Sequence, residues 1–188
     1  MRLRFLPVAA TLCGSVGFLS SCAPVDREAQ RLPAQSAAEA ICALGHSSIP
    51  LQTLPTGHHL VDVTVNGKVA KFIVDTGAGR TIIHGAYIDT FGLRALSGQQ
   101  GLAVGAGGAT AVNQVSVSDL AIAGTRTSLK RLFAVDLSHA VKALDPIVGS
   151  PVHGIIGQDV MQAQHAIIDV QQERLYLKPL EGEPQTGC

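Results

Sequence analysis

The chain has 188 residues, enough for one domain with a sizeable core, and its 14 basic and 14 acidic residues give a formal net charge of zero. This balance, with only 15% charged residues, excludes a basic nucleic-acid-binding face, and the 46% hydrophobic content excludes a disordered chain. Twenty glycines, no Trp and many Val- and Ile-rich runs predict a β-rich domain with an aliphatic core.

The N-terminus predicts a signal peptide over residues 1–21. Arg2 and Arg4 precede an apolar stretch that is too short and too interrupted for a secure membrane span. The stretch runs into LSSC at 19–22, which resembles a bacterial lipobox with Cys22 as the lipidated residue; an ordinary secretory signal cut nearby is the alternative. Ala23 resembles an outer-membrane rather than an inner-membrane address. We therefore expect a lipid-anchored protein on the periplasmic face of a bacterial membrane.

Two cysteines remain after Cys13 leaves with the signal peptide and Cys22 takes the lipid. Outside the cytoplasm, Cys42 and Cys188 can pair, and we hypothesise a disulfide that ties the segment before the domain to the tail. The cysteine and histidine spacing does not suggest zinc, and we expect no metal or other cofactor.

The remaining chain divides by composition into three parts. Residues 22–48 are rich in Ala, Gln, Pro and Ser and are interpreted as a tether with a short helix at 34–44. A folded domain is expected over 49–180, followed by a loose tail over 181–188.

The domain begins with a predicted hairpin. Two β-type runs, 59–65 and 69–74, are separated by Asn66-Gly67-Lys68, and Asn-Gly between such runs is a strong hairpin signal. After a turn at Asp75, a strand is predicted over 80–84 and a short helix near 87–91.

The second half of the domain also reads as short strands separated by turns. The expected elements are a glycine-rich hairpin at 101–110, strands at 112–122 and 127–135, a loop at 145–149, a buried strand at 154–157, a helix at 159–164 with Asp159 as its N-cap, and a closing hairpin of 166–170 and 174–177.

Asp75-Thr76-Gly77 is the strongest candidate for chemistry. It follows the apolar run FIV at 72–74, and Gly77 can let a backbone N–H approach the Asp75 carboxylate because it has no Cβ. Thr76 adds a hydroxyl group. Asp and Gly are also common in ordinary turns after strands, so the motif alone leaves both interpretations open.

A second motif lies about eighty residues downstream, at Gly154-Ile155-Ile156-Gly157. Gly157 permits a close backbone approach behind the Asp75 loop. With the 101–110 hairpin between the two motifs, this order resembles the retropepsin-like aspartic proteases of clan AA, over about residues 49–179. The closing segment HAIIDVQQERLYLKP also looks like the C-terminal hairpin of bacterial members.

The resemblance implies an all-β acid-protease lobe, a closed or partly open β-barrel with one or two short helices. It assigns Asp75 as the catalytic aspartate, Thr76 as the residue that braces the paired loop, and Gly77 and Ala78 as the rest of that loop. The matching flap residues are Val104, Gly105, Ala106, Gly107 and Gly108, and the residues that match the segment supporting the catalytic loop are Ile155, Ile156 and Gly157.

Aspartic proteases use two carboxylates that share a proton, one activating a water and the other donating to the scissile carbonyl. This chain has no second Asp-Ser/Thr-Gly. The remaining candidates lack the glycine turn and are interpreted as surface or capping residues: Asp62, Asp119, Asp159 and Asp169. The resemblance therefore implies a homodimeric aspartic endopeptidase acting on peptides or proteins, with one Asp75 per subunit and an acid-side or bell-shaped pH profile.

Two positions depart from the family pattern. Many viral relatives carry an acidic residue directly after the catalytic loop and an Arg after the late glycine, and the two pair. Here the positions are Gly79 and Gln158, so both partners are missing together. Two alternatives to the endopeptidase function remain open. One is a monomeric peptide-binding lipoprotein that does not cleave, and the other is a structural envelope lipoprotein.

Other signals are set aside. The glycines at 105–108 lack the spacing and the lysine of a phosphate loop, and the chain has no GxSxG serine motif. His58, His59 and His84 lack the companion ligands of a metal site and are interpreted as surface residues.

Overall fold

Strands are the main regular structure of the described chain, as its Val- and Ile-rich runs predict. The computed structural model describes residues 34–105 and 108–188. The predicted signal peptide, Cys22, the tether as far as residue 33, and Ala106 and Gly107 therefore lie outside the described residues. No helix in the described ranges is long and apolar enough to cross a membrane.

The described ranges contain thirteen strands, four helices and one 3-10 turn at Gly85–Tyr87. The strands are β1 (Ser47–Pro50), β2 (Gln52–Thr53), β3 (His59–Val65), β4 (Lys68–Val74), β5 (Ile82–His84), β6 (Arg94–Gly105), β7 (Gly108–Ser116), β8 (Leu120–Ile122), β9 (Thr125–Arg126), β10 (Arg131–Val135), β11 (Gly154–Ile156), β12 (Ile167–Asp169) and β13 (Arg174–Leu177). The helices are α1 (Ala34–Ala43), α2 (Ser138–Val141), α3 (Asp145–Val148) and α4 (Gln158–Ala163).

These strands form two sheets. The larger has ten strands in the order β6-β7-β10-β5-β11-β4-β3-β8-β9, with β2 paired to β3, and the smaller has the order β1-β13-β12. Pairing in the larger sheet runs from β6 to β9 without closing into a ring among the described strands. The predicted all-β fold with short helices is confirmed.

The side chains of β4 divide the apolar interior into two clusters. Phe72 and Val74 point into the larger one, called the main core, whose other buried members include Ile83, Val115, Leu132, Ile156 and Leu175. Ile73 points to the opposite face, into a second core made of Leu54, Leu60, Ile73, Val112, Val135, Leu137, Val141, Leu144 and Val152. This two-residue alternation is what a strand buried on both faces requires.

The predicted hairpin of β3 and β4 is confirmed. Val65 lies opposite Lys68, so only Asn66 and Gly67 form the turn, and Lys68 belongs to the strand. Both turn residues have positive φ, 48° and 80°, which two-residue hairpin turns of this twist need and which Asn and Gly adopt at low cost.

The strand predicted over 112–122 is wrong, because the chain bends between β7 and β8. The Asn66 side-chain oxygen accepts hydrogen bonds from the Ser118 and Asp119 backbone N–H groups at 2.9 and 3.1 Å. The Asn66 N–H in turn donates to the Asp119 carbonyl at 2.9 Å. These hydrogen bonds fix the bend, so that β7 pairs with β10 whereas β8 pairs with β3.

Three other predicted elements also differ from the structure. The strand predicted over 127–135 begins only at Arg131, because the bond from the Thr127 N–H to the Leu120 carbonyl continues the pairing of β9 with β8. The strand predicted from residue 80 begins at Ile82. The helix predicted near 87–91 is a 3-10 turn that starts earlier, at Gly85.

The connection between β10 and β11 carries two helices that the sequence interpretation left out. The loop predicted over 145–149 is helix α3, whose early Pro146 and left-handed Gly149, with a φ of 72°, are helix start and stop signals. Helix α2 precedes it. Leu137, Val141 and Leu144 from this connection cover the second core.

The tail that was predicted to be loose is bound to the smaller sheet. Cys42 and Cys188 form a disulfide that closes a separation of 146 residues, with the two Cα atoms 5.8 Å apart. The Ser48 N–H donates to the Thr186 carbonyl at 2.9 Å, and the Thr186 N–H donates to the Ser47 hydroxyl at 3.0 Å. The tail therefore covers the outer edge of β1.

Candidate active site

Asp75 follows the last residue of β4, where that strand lies between β3 and β11. Its N–H donates to the Ile156 carbonyl at 3.1 Å, and its own carbonyl accepts from the Ala78 N–H at 3.2 Å, which closes a turn. Asp75 is half-buried, whereas Thr76 and Gly77 are exposed. The backbone thus holds Asp75 firmly while the tip of its loop faces solvent.

The Asp75 carboxylate is oriented by its own loop. The Gly77 N–H donates to Asp75 Oδ1 at 2.7 Å. A Cβ on residue 77 would lie 3.1 Å from the same oxygen, which is a tight contact. Glycine at this position therefore lets a backbone donor reach the carboxylate.

Strand β11 supports the Asp75 loop from behind. It pairs in parallel with β4, with Ile155 opposite Ile73 and Ile156 opposite Val74. The Gln158 N–H donates to the Ala78 carbonyl at 2.8 Å. The structure therefore brings Ile155, Ile156 and Gly157 against the loop, with Gly157 packed on the backbone of Ala78 and Arg80.

Gln158 contacts the loop that follows Asp75 directly. Its side-chain amide Nε2 donates to the Thr76 carbonyl at 2.7 Å. This neutral bond ties the exposed tip of the loop to the start of α4. Gly79 has no side chain to pair with, so no uncompensated charge is created.

The sequence interpretation missed a polar contact beneath the loop. Asp159 was interpreted as a surface or N-capping residue, but Gly157 is the N-cap of α4. The Asp159 carboxylate accepts from the Thr81 N–H at 2.9 and 3.0 Å and from the Thr81 hydroxyl at 2.6 Å. The Thr81 oxygen in turn accepts from the Gly157 N–H at 3.1 Å. Thr81 is fully buried, and these bonds supply the partners that a buried hydroxyl needs.

The second core lies on the Asp75 face of the sheet. Since strand side chains alternate, Asp75 follows Ile73 on the side opposite Val74. The same core includes Val112 from β7, so it joins the β6–β7 hairpin to the strand that carries Asp75.

The described residues of the predicted flap lie at the end of the β6–β7 hairpin. This hairpin is longer than the predicted 101–110, and Gly105 lies opposite Gly108 at its described end. Val104 is in β6, next to Gly105, while Ala106 and Gly107 lie outside the described residues.

The sequence interpretation rejected three histidines as metal ligands, and in the structure they lie apart from one another, on the surface and at the second core. His58 bonds to Thr56 and His59 bonds to Thr53, both in exposed positions. His84 was interpreted as a surface residue, but it is buried, and its Nδ1 accepts from the Leu137 N–H at 3.3 Å. His84 thus anchors the connection that covers the second core.

The His153 side chain also accepts a backbone hydrogen bond, and no sequence motif indicates this role. Its Nδ1 accepts from the Lys71 N–H at 3.1 Å, and its ring lies 4.6 Å from that of Tyr87 and 5.4 Å from that of Phe91. Burial among these rings lowers the pKa of His153 from its ordinary value. A protonated ring could not accept from Lys71, so the fold requires neutral His153.

Replacing His153 with Asn is expected to reduce the decrease in the free energy of unfolding as the pH becomes acidic. Because the pKa of His153 is lower when the chain is folded, protons bind the unfolded chain first, and stability falls as pH drops through 6.5 toward the folded value. The amide oxygen of the substituted side chain would still accept the Lys71 N–H without titrating. Urea unfolding from about pH 7 to about pH 5 measures the slope. His58→Asn, at an exposed site, is the control and should leave the slope steep; equal slopes for wild type and His153→Asn would contradict this account.

The solved structures that resemble the chain include two proteases. A retropepsin-like aspartic protease from Rickettsia conorii is 19% identical, with 71% of this chain and 98% of that chain covered and a TM-score of 0.46. The EIAV protease complexed with the inhibitor HBY-793 is 21% identical, with 55% and 84% covered and a TM-score of 0.41. No curated protein matches the chain significantly.

The family comparison is more direct. The model described as aspartyl protease matches residues 61–160, slightly more than half of the 188 residues. The matched range runs from β3 through the Asp75 loop and the β6–β7 hairpin to the first residues of α4. The chain therefore belongs to the aspartyl protease family.

Proposed function

We propose that the chain is an aspartic endopeptidase whose two catalytic carboxylates are the Asp75 residues of two copies. The supporting observation is that the other candidate carboxylates are engaged in contacts of their own. Asp62 pairs with Lys71 at 2.9 Å and Asp119 with Arg126 at 3.1 Å. Asp169 accepts the Gln172 N–H, and Asp159 holds Thr81. Asp75 accepts only from its own loop among the described side-chain bonds.

The chemistry follows from placing two such carboxylates together. Their mutual repulsion favours one shared proton, so one is ionised and the other is protonated. The ionised carboxylate takes a proton from water, which attacks the scissile carbonyl carbon, while the protonated carboxyl donates to the carbonyl oxygen. Proton transfer to the amide nitrogen then lets the C–N bond break. The two groups titrate as a pair, so the rate follows two apparent pKa values.

The surroundings of Asp75 suit an extended peptide with apolar side chains. The β6–β7 hairpin is joined to the strand before Asp75 through the second core, since Val112 of the hairpin and Ile73, two residues before Asp75, both belong to that core. We propose that the end of this hairpin, including Val104, Gly105 and Gly108, closes over the bound peptide and excludes water.

We also propose the location and organisation of the mature protein. The LSSC sequence at 19–22 supports removal of residues 1–21 and lipid attachment at Cys22, and Ala23 supports an outer-membrane destination. The Cys42–Cys188 disulfide supports an oxidising compartment such as the periplasm. The protease domain would then extend from the membrane on the residues before β1.

The dependence of cleavage on chain concentration tests the proposed function. The full chain is incubated with an unstructured protein substrate from about pH 4 to about pH 7, and cleavage per chain is compared with sedimentation at the same concentrations. Cleavage per chain should rise as dimers form, and a pepstatin-type inhibitor should suppress it. Constant cleavage per chain from a monomer would contradict the paired mechanism. Substrate binding without any product would instead support the non-catalytic peptide-binding alternative.

A further inference from the structure

A groove next to the Asp75 loop carries three cationic side chains and is called the basic groove. Its volume is about 430 Å³, and its lining includes Arg80, Gln114, Lys130, Arg131, Phe133 and Asp159. The three cationic residues are exposed. The whole chain has a formal net charge of zero, so this concentration of positive charge is local. Clefts lined by one sign of charge attract groups of the opposite sign.

The carboxylate of Asp159 in the basic groove is already engaged. It accepts from the N–H and the hydroxyl of Thr81 and, at 2.9 Å, from the Val160 N–H. None of the ion pairs formed among the described residues includes a cation of the groove. Lys130 donates to the Ser118 carbonyl at 3.1 Å, which leaves its charge in place. The groove therefore keeps a positive charge that a bound carboxylate could balance.

The strands that line the basic groove turn it toward the same face of the sheet as the second core. Arg131 and Phe133 are two residues apart in β10, so their side chains share one face, and Phe133 packs against the second core. Gln114 lies opposite Phe133 and two residues after Val112 of that core. The basic groove thus lies on the Asp75 face, and β7, which contributes Gln114, belongs to the hairpin proposed to close over a peptide.

Arg80 connects the basic groove with the Asp75 loop. The bond from the Ala78 N–H to the Asp75 carbonyl closes a turn, which keeps the Cα atoms of these two residues within about 7 Å of each other. Two further residues lead to Arg80 and add at most about 7.6 Å. An extended peptide advances about 3.3 Å per residue, so about four of its residues cover the distance from Asp75 to Arg80.

We propose that the basic groove binds an acidic side chain of the peptide substrate, Asp or Glu, within about four residues of the bond that is cut. Arg80 and Arg131 would present guanidinium donors to the carboxylate, a pairing that can be bidentate, and Lys130 would add a third positive charge. The position of Arg80 in the Asp75 loop favours a substrate side chain over a lipid headgroup as the occupant. This inference rests on the proposed function, because it specifies which peptides that same site selects.

Paired peptides test this preference for negative charge. Glu is placed in turn at each of the four positions on either side of the cut bond of an uncharged peptide, and the full chain cleaves each Glu peptide and its Gln counterpart at about pH 6. At one or more positions, kcat/KM should be about tenfold higher for Glu than for Gln. The preference should decrease with added salt, and as the pH falls through about 4.3, where Glu takes up a proton. Titration of the Asp75 pair affects both peptides and cancels in their ratio.

Charge reversal in the basic groove should reverse the preference. Arg80→Glu and Arg131→Glu should each cleave a peptide with Lys at the selected position faster than the Glu peptide. Lys68→Glu is the matched control, because exposed Lys68 begins β4 and lies at the opposite end of that strand from Asp75. It should keep the wild-type ratio. Both peptides are cleaved by the same preparation, so any unfolded fraction also cancels in the ratio.

The outcomes separate this inference from the proposed function. Cleavage with equal kcat/KM for Glu and Gln at every position, or a ratio that Lys68→Glu changes as much as Arg131→Glu does, would overturn the inference and leave the endopeptidase intact. Tighter binding of a Glu peptide, lost in Arg131→Glu, without cleavage of any peptide would support the basic groove and overturn the proposed function.

A membrane contact is the remaining outcome. Wild type, but not Arg131→Glu, would then associate more strongly with phosphatidylglycerol vesicles than with phosphatidylcholine vesicles, while Glu and Gln peptides were cleaved equally. That combination would overturn the substrate side chain as the occupant of the basic groove.

Discussion

Replacing Asp75 with Asn is expected to reduce peptide cleavage by at least about a thousandfold, since it removes both members of the proposed carboxylate pair at once. An amide cannot take a proton from water or share one with its partner. The Asn oxygen can still accept the Gly77 N–H that now reaches Asp75 Oδ1 at 2.7 Å, so the loop should keep its shape. The free energy of unfolding should change by less than about 1 kcal/mol, and both quantities are measured on the same preparation.

Asp62→Asn is the matched control for this change. Asp62 is an exposed carboxylate whose partner is Lys71, and surface ion pairs of this kind contribute little to stability. Its cleavage rate should equal that of wild type. If Asp75→Asn cleaved as well as Asp62→Asn, Asp75 would have no part in the reaction.

Replacing Gly157 with Ala is expected to destabilise the fold by about 4 kcal/mol or more. A Cβ at this position would overlap the Arg80 carbonyl group and lie 2.8 Å from the Ala78 oxygen. Both obstacles are backbone atoms, so no side chain can rotate away. Relief would require separating β11 from the Asp75 loop, with loss of the bond from the Gln158 N–H to the Ala78 carbonyl. Urea unfolding measures the change, and cleavage should fall with it.

Gly79→Ala provides the comparison within the same loop. A Cβ on Gly79 would meet nothing within 4 Å, and its φ lies outside the left-handed region. Its effect on unfolding should therefore stay below about 1 kcal/mol. Equal destabilisation by the two substitutions would show that close backbone approach at Gly157 is not what supports the loop.

Local chemistry explains which parts of the fold were predictable. Asn66-Gly67 specifies its hairpin because both residues tolerate the positive φ of the turn. The turn after Asp75 could be placed because an apolar run ends there and glycines follow. In both cases the information lies within a few neighbouring residues, so the sequence alone was sufficient.

The parts that could not be predicted depend on contacts between distant residues. The bend between β7 and β8 is fixed by Asn66, more than fifty residues earlier in the chain. The role of Asp159 depends on Thr81, which is 78 residues away. An Asp near a helix start looks the same whether it caps that helix or binds a buried threonine. Helices α2 and α3 could not be predicted for the same reason. Their apolar residues become buried only by packing with Ile73 and Val112, which are distant in sequence.

The pairing of β1 with β13 determines the order in which the lobe can be completed. β1 leaves the ribosome early, yet its partner strand and the cysteine that locks the tail over it come far later, Cys188 being 146 residues beyond Cys42. Until these residues are present, Ile49 and both edges of β1 lack their packing and hydrogen-bond partners. Contacts this distant in sequence form slowly. Chains at high local concentration can exchange these strands with one another during that interval. Arrival of residues 174–188 thus supplies both the central strand of the smaller sheet and the cysteine that fixes the tail over β1.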